Sequence, residues 1–197
     1  MKNKKVLSIF LSVVVSCAVI LLDLLTKELV ISKLIPTTGS SVDVLPGFVN
    51  FIYVKNRGAA WGMLAGRPVF LIVISIIILA LLLAFYILRV RKTGNKSSVL
   101  LAISMGLIIG GCIGNLVDRI AFGYVRDFIN FQFMNFPVFN FADVSLTFGV
   151  IIILIYFVFY YSKEDKRLNE NSQENISFSN IGDFEENQEN GCDEDER

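Results

Sequence analysis

Two aspartates stand in a stretch of sequence otherwise rich in phenylalanine, asparagine and aliphatic residues. Asp127 and Asp143 lie within VRDFINFQFMNFPVFNFADVSLTF, residues 125–148. Two carboxylates that share one proton can work as a pair. The ionised one takes a proton from an attacking water, while the protonated one supports a carbonyl oxygen and later protonates the leaving nitrogen. The two residues are therefore candidates for the hydrolysis of a peptide bond.

The residue inventory excludes several other kinds of hydrolytic site. The sequence contains no histidine, which rules out Ser-His-Asp and Cys-His nucleophiles and removes the usual nitrogen ligands of zinc. We expect neither a metal nor a cofactor. A Ser-Lys pair with Lys27 as the base is conceivable, but Asp23 stands four residues earlier and favours an ion pair over a neutral lysine. The three cysteines, Cys17, Cys112 and Cys192, indicate no disulfide framework.

The composition places these residues in a membrane protein. Of the 197 residues, 54% are hydrophobic and 17 are phenylalanine, which is far more apolar than an ordinary soluble domain. A bilayer core of roughly 30 Å needs about 20 residues of helix. Four apolar runs meet this length, and we expect an all-α membrane protein with four transmembrane helices at residues 6–22 with a polar continuation toward 30, 68–88, 97–117 and 144–161.

The basic residues predict the orientation of these helices. Lysine and arginine cluster at residues 2–5, 89–96 and 163–167, so by the positive-inside rule both termini are cytoplasmic. Two segments, about 31–67 and about 120–141, then face outward. The first contains VDVLPGFVNFIYVKN, in which LPG separates two strand-like stretches and predicts a small β layer at the outer surface.

The two ends of the chain need separate interpretation. Residues 162–197 hold 12 of the 18 acidic residues. They predict a disordered acidic cytoplasmic tail after a four-helix transmembrane domain at residues 1–161. The lysines and VVSC near Cys17 resemble a lipoprotein signal with a lipidated cysteine. However, the apolar run continues after Cys17 as AVILLDLL, so we expect no cleavage there.

This topology gathers the polar residues of the helices near the outer interface. Asn115, Asp118 and Arg119 fall within an arc of about 100° on one helix. Charges that face lipid are costly, so these side chains should face the bundle. Glycines at 106, 110 and 114 predict close approach of a neighbouring helix. The converging residues are Asp23, Lys27, Asn115, Asp118, Arg119, Asp127, Asn140 and Asp143.

The residues alone leave the role of the acids open. Asp143 stands at the start of the fourth helix, where the helix dipole stabilises an anion, and Asp127 lies on the same side of the membrane. Asp118 beside Arg119, and Asp23 spaced to pair with Lys27, look structural. A catalytic pair, structural ion pairing and the ion pathway of a small four-helix carrier all remain possible, because intramembrane acids serve all three.

Five ordered blocks resemble signal peptidase II, the bacterial lipoprotein signal peptidase. This family of aspartyl membrane proteases removes the signal peptide of prolipoproteins just before the lipid-modified cysteine. Trp61 stands where phenylalanine is usual, and Phe141 where a smaller aliphatic residue is common. The blocks are DLLTK at 23–27, NRGAAWG at 56–62, GGCIGNLVDR at 110–119, GYVRDF at 123–128 and FNFAD at 139–143.

The resemblance implies a fold and a role for each residue. The fold would be four transmembrane helices with an extracytoplasmic β-cradle and a short surface helix carrying GAAWGML, residues 58–64. Asp127 and Asp143 would be the catalytic pair. The residues that would line the site or bind substrate are Asn56, Asn115, Arg119 and Asn140. The residues that would support the site structurally are Asp23, Lys27 and Asp118.

The same resemblance implies the partners and the location. The partners would be lipidated prolipoprotein substrates and membrane lipids, with no nucleic acid. The protein would be a monomer in the bacterial cytoplasmic membrane, with its active site near the outer face. A non-enzymatic assembly factor, as a further alternative, would tolerate the loss of either catalytic carboxylate.

Overall fold

The computed structural model describes residues 2–39, 41–59, 63–93 and 99–159. Within these residues, four helices are long and apolar enough to cross a membrane, and they confirm the four predicted spans. The candidate spans are Lys5–Leu34, Pro68–Arg91, Val99–Phe122 and Phe141–Phe159. The predicted acidic tail and residues 60–62, including Trp61, lie outside the described residues.

The first helix is longer than the hydropathy pattern predicts. Helix α1 covers Lys2–Glu28, continues as a π-helix over Leu29–Leu34 and passes into a short helix α2 over Ile35–Thr38. Residues 31–38, predicted to begin the first outward-facing segment, are therefore helical. Pro36 lies in the first turn of α2, and Gly39 with φ 101° follows its last residue.

The remaining helices also extend beyond their apolar runs. Helix α3 covers Pro68–Thr93 and α4 covers Val99–Phe122. Helix α5 covers Phe141–Phe159 and thus begins three residues before the predicted start. Polar residues at helix ends face water or the protein interior, so hydropathy alone sets the ends of these helices too short.

The two segments predicted to face outward form one antiparallel sheet in the order β1-β2-β3. Strands β1, Ser41–Leu45, and β2, Val49–Asn56, confirm the predicted strand pair, and Gly47 with φ 78° lies in the turn between them. Strand β3, Val125–Phe131, comes from the second outer segment and was not predicted. It pairs with β2 through Val54↔Asp127 and Asn56↔Val125, so this sheet joins two segments that are distant in the sequence.

The predicted short surface helix over residues 58–64 is only partly covered by the structure. Residues 60–62 lie outside the described part of the chain, and residues 63–66 form a turn. Leu64 in this turn has a positive φ of 59°.

Glycines let α4 pack closely against α1 and α5. A Cβ added at Gly106 would lie 2.7 Å from Cβ of Val15, and one added at Gly110 would lie 2.8 Å from Cβ of Val19. On another face of α4, a Cβ at Gly111 would lie 2.5 Å from a backbone oxygen of α5. The predicted packing role of the glycines is confirmed. Contacts divide the chain into two units after Ile153, and the site described below lies wholly before that point.

Candidate active site

Asp127 is held on β3 by two neutral amide groups. Its side chain is 1% exposed. Asn56 Nδ2, from the end of β2, donates to Asp127 Oδ2 at 2.9 Å, and Asn140 Nδ2 donates to Asp127 Oδ1 at 2.6 Å. The Asn56 amide is itself oriented, since its Oδ1 accepts the Gly58 backbone N–H at 3.0 Å. The pairing of β2 with β3 therefore brings both the carboxylate and one of its donors into place.

Asp143 belongs to a reciprocal cap at the start of α5. Asn140 Oδ1 accepts the backbone N–H of Asp143 at 3.0 Å, and Asp143 Oδ2 accepts the backbone N–H of Asn140 at 3.2 Å. This is the arrangement of a capping box, here with Asn and Asp at N-cap and N3. It accounts for the start of α5 at Phe141. The Asn-x-x-Asp spacing in FNFAD was the sequence signal for this cap, and it was missed.

Two asparagines join the two carboxylates into one network. Asn115 Nδ2, from α4, donates to Asp143 Oδ1 at 2.7 Å. Asn140 Nδ2 also donates to Asn115 Oδ1, at 3.0 Å. Asn140 is fully buried and contacts both carboxylates. The structure thus brings together Asp127, Asp143 and three of the four predicted lining residues.

Burial and the neighbouring acid change the proton affinity of Asp127. Loss of hydration is the largest effect and the charge of Asp143 the second, and together they raise the pKa of Asp127 to about 7. The hydrogen bonds from Asn56 and Asn140, and the positive charge of Lys27, oppose this rise only in part. Asp127 can therefore gain and lose a proton near neutral pH.

A second group of charged residues lies beside the carboxylates and is fully paired. Asp23, Lys27 and Asp118 are each 0% exposed. Lys27 Nζ lies 2.7 Å from Asp23 Oδ2 and 3.1 Å from Asp118 Oδ2. Asp23 also holds the start of α5, because its Oδ1 accepts the backbone N–H of Ala142 at 3.0 Å. We call Asp23, Lys27, Asp118 and Arg126 the ion cluster.

Arg126 is the member of the ion cluster that the sequence analysis missed. Its Nη2 and Nε donate to Asp118 Oδ1 at 2.9 and 3.1 Å, and its backbone N–H donates to Asp118 Oδ2 at 2.9 Å. Asp118 therefore pairs with Arg126 and Lys27, and not with its sequence neighbour Arg119. The signal was weak, since eight residues and the end of a helix separate Asp118 from Arg126.

Arg119 lies instead on the wall of a cavity that both carboxylates reach. The cavity has a volume of about 1050 Å³. Arg119 Nη2 contacts the backbone oxygen of Gly58 at 3.5 Å. The polar lining includes Asn56, Asn115, Arg119, Asp127 and Asp143, and the apolar lining includes Ile78, Phe131, Phe136, Val138, Phe139, Val144, Leu146 and Phe148.

The arrangement can bind an extended, partly apolar molecule next to a pair of acids. Within the residues that the structure describes, no group of three or more Cys, Asp and Glu is placed to hold a metal ion. Two carboxylates with neutral donors, one of them with a pKa of about 7, are suited to general acid and base catalysis.

Known proteins resemble this chain in sequence and in structure. A model of the family described as Signal peptidase (SPase) II matches residues 15–159. The lipoprotein signal peptidase of Halothermothrix orenii is 41% identical over 143 residues, which cover 73% of this chain and 92% of that protein. The protein of the same name from Clostridium tetani is 41% identical over 152 residues, covering 76% and 93%.

A solved structure agrees with these relatives. A bacterial membrane enzyme determined by the in meso method at 2.3 Å resolution superimposes with a TM-score of 0.63 and 36% identity, over 75% of this chain and 87% of that one. A second such structure, at 1.9 Å, gives a TM-score of 0.61 at 36% identity, over 74% and 91%. With the family match over most of its length, the chain belongs to the signal peptidase II family.

Proposed function

We propose that the protein is an aspartic endopeptidase that removes signal peptides from bacterial prolipoproteins, with Asp127 and Asp143 as its catalytic pair. The bond cleaved is the one just before the diacylglyceryl-modified cysteine. One observation carries the catalytic assignment: two carboxylates bridged by Asn140 border a largely apolar cavity. Membership of the family leaves the small ion-coupled carrier without support.

The two carboxylates divide the acid and base steps. The ionised carboxylate takes a proton from a water molecule, whose oxygen attacks the peptide carbonyl carbon. The protonated carboxylate donates a hydrogen bond to the carbonyl oxygen. When the tetrahedral intermediate breaks its C–N bond, the departing nitrogen receives a proton, and one acid and one carboxylate remain. Asn115 and Asn140 hold the pair, while Asn56 and Arg119 line the substrate cavity.

The cavity is suited to a substrate that carries a lipid on the residue after the cleaved bond. Aromatic and aliphatic side chains from three parts of the chain line it, among them Ile78 of α3, Phe131 of β3 and Phe148 of α5. Burial of apolar surface contributes about 25 cal/mol per Å². A diacylglyceryl group would bind through this surface, and the peptide through the polar wall.

The proposed location is the bacterial cytoplasmic membrane, with both termini cytoplasmic and the site near the outer face. Helix α1 leads through α2 to β1, and α4 leads to β3. These strands share one sheet, which supports placing both segments on the same side of the membrane. The clusters of Lys and Arg at residues 2–5, at the start of α1, and 89–96, before α4, support placing these ends of the two helices on the cytoplasmic side. We further propose that residues 1–161 act as a monomer and that residues 162–197 form the cytoplasmic tail.

A cleavage assay tests this function directly. Purified protein in detergent is incubated with a prolipoprotein precursor whose cysteine carries a diacylglyceryl group, and with the same precursor without the lipid. We expect cleavage before the cysteine of the lipidated precursor alone, measured by mass spectrometry. No cleavage by folded protein would refute the peptidase, and equal cleavage of both precursors would refute the lipid requirement.

A further inference from the structure

Lys27 makes a contact that its role in the ion cluster does not require. Its ammonium group has three N–H donors. Two of them serve Asp23 Oδ2 at 2.7 Å and Asp118 Oδ2 at 3.1 Å. The third acceptor within reach is Asn115 Oδ1, at 3.4 Å. This contact connects the ion cluster with the network around Asp143.

The contact determines which way the Asn115 amide faces. Asn115 Oδ1 accepts from Lys27 Nζ and, at 3.0 Å, from Asn140 Nδ2. Its Nδ2 is then left to donate to Asp143 Oδ1 at 2.7 Å. A flipped amide would set its NH₂ group against the ammonium and the Asn140 NH₂, and its oxygen against the Asp143 carboxylate. The donor from Lys27 opposes that flip.

We propose that Lys27 is a positioning residue for the catalytic pair, which acts through Asn115 to keep an amide donor on Asp143 and supplies positive charge to both carboxylates. This inference rests on the proposed function. Lys27 contacts neither carboxylate of the pair in its own hydrogen bonds. Its effect on the reaction is therefore indirect, through the orientation of Asn115 and through its charge.

The charges around Asp127 determine whether its pKa rises or falls when the charge of Lys27 is removed. Asp143 faces Asp127 from α5 and raises its pKa, whereas the positive charge of Lys27 on α1 lowers it. Arg119 of α4 also interacts with both carboxylates. Removing the charge of Lys27 while Asp143 and Arg119 stay in place should raise the pKa of Asp127 above its value of about 7.

A charge-balanced double variant separates this role from folding. Removing Lys27 alone would leave Asp23 and Asp118 short of a cation, which is strongly destabilising. Asp23→Asn/Lys27→Gln removes one charge of each sign, Asp118 keeps Arg126, and residue 23 keeps an oxygen to accept the Ala142 N–H. We expect kcat for the lipidated precursor to fall by about tenfold to a hundredfold with KM changed by less than about twofold.

A titration provides a readout that does not depend on activity. The ¹³C NMR signal of aspartate side-chain carboxyls is followed against pH in detergent, and the Asp127 signal is assigned by its loss in Asp127→Asn. In Asp23→Asn/Lys27→Gln the Asp127 midpoint should rise by about 0.5 to 1 pH unit. If the Asp127 midpoint shifts in this way but the wild-type protein cleaves no precursor, the proposed function is refuted. The effect of Lys27 on Asp127 would still hold.

The matched control removes the other ion pair of the same cluster. Asp118→Asn/Arg126→Gln also deletes one charge of each sign, but leaves Lys27 bonded to Asp23 and Asn115. We expect a comparable loss of thermal stability with the Asp127 midpoint unchanged within about 0.2 pH unit, because the charge of Lys27, which lowers the pKa of Asp127, stays in place. An equal shift in both double variants would overturn the assignment to Lys27.

The route through Asn115 is tested by non-additivity. Asn115→Ala should lower kcat in the native background but cost little further in Asp23→Asn/Lys27→Gln, because both changes interrupt the same chain of hydrogen bonds. Fully additive losses would overturn the route. If the double variant does not fold, Asp23→Asn/Lys27→Met fills the space with an apolar chain. Failure of both to fold would show that Lys27 serves the fold alone and would overturn the proposal.

Discussion

Three buried aspartates and the half-buried Asp143 divide into two pairs with different neighbours. Asp23 and Asp118 contact the ammonium of Lys27, and Asp118 also contacts the guanidinium of Arg126. Within the part of the chain that the structure describes, Asp127 and Asp143 form no ion pair and accept their hydrogen bonds from asparagine groups. The two pairs therefore differ in the charge of the groups that hold them, cations for one pair and neutral donors for the other.

The two pairs also differ in their access to a ligand. The members of the ion cluster on α1 and α4 are 0% exposed and do not line the cavity. Asp127 and Asp143 both line it. The same residue type therefore serves two purposes a few ångströms apart, and its partners and its access decide which.

The largest effect should come from neutralising either cavity-lining aspartate. Asp127→Asn and Asp143→Asn are nearly isosteric, but an amide can serve neither as the base nor as the acid. Each should lower kcat by about 10³-fold or more, and the double variant should lose little beyond either single one, because residues that act as a unit are strongly non-additive.

Asp43→Asn is the matched control for these variants, since Asp43 is exposed on β1 and should be dispensable. Rates are measured on protein shown to be folded and able to bind a lipidated precursor. Substantial turnover by either single variant would break the contrast and reopen the Ser-Lys alternative.

Loss of a paired aspartate should instead act on folding. Asp23→Ala leaves Lys27 short of a partner and the Ala142 N–H without its acceptor. We expect a loss of about 3 to 5 kcal/mol of stability, with activity falling in parallel. The measurement is thermal unfolding in detergent alongside the cleavage rate. Lost activity at unchanged stability would move Asp23 into the catalytic group.

The elevated pKa of Asp127 predicts that its ionised carboxylate destabilises the fold. The pKa of about 7 in the folded state exceeds the ordinary 3.8. Between these values the folded protein holds a proton that the unfolded chain releases, so stability falls as pH rises from about 4 to about 7. This pKa shift corresponds to a loss of about 4 kcal/mol of folding stability in the wild type. Asp127→Asn avoids that loss, but its amide forms one weaker hydrogen bond, which costs about 1 kcal/mol.

Asp127→Asn should therefore be more stable than the wild type at pH 8, by about 3 kcal/mol, and less stable by about 1 kcal/mol near pH 3.5, where only the weaker hydrogen bond remains. Unfolding in detergent at both pH values measures the difference, with Asp43→Asn as the control. A variant that is less stable than the wild type at pH 8 would contradict the raised pKa.

Activity should follow a bell-shaped pH profile. Two coupled acids lose their protons in two macroscopic steps, and the singly protonated pair is the working form. One limb should lie near pH 7, given the pKa of Asp127, with activity changing by about tenfold per pH unit beyond each limb. A profile with a single limb across the range in which the protein is folded would indicate one essential carboxylate.

The smallest effect is expected far from both pairs. The acidic residues after Arg167 lie on the proposed cytoplasmic side, and their composition cannot supply a packed core. Truncation after Arg167 should leave cleavage in detergent within about twofold of the full chain. Near-complete loss would contradict the proposed topology.

Much of the fold could be predicted because its signals are local in the sequence. Four apolar runs of sufficient length indicate four spans whatever they pack against. The local sequence LPG, with Gly47, indicates the turn that separates β1 from β2. The candidate acids could also be found, since charged residues are conspicuous in apolar runs. Strand β3 could not be predicted in the same way, because its partner β2 lies about 70 residues earlier.

The division of the acids into two pairs shows what the sequence determined and what required the tertiary structure. The sequence by itself predicted which carboxylates lie close together, and it indicated the i, i+4 pair of Asp23 and Lys27. It could not assign a partner to Asp118, whose neighbour Arg119 seemed to be one. Successive residues on a helix point about 100° apart, so Asp118 faces Lys27 and Arg126 while Arg119 faces the cavity. Only the packing of α1, α4 and β3 decides which carboxylates meet a cation, because that choice depends on distances between segments far apart in the chain.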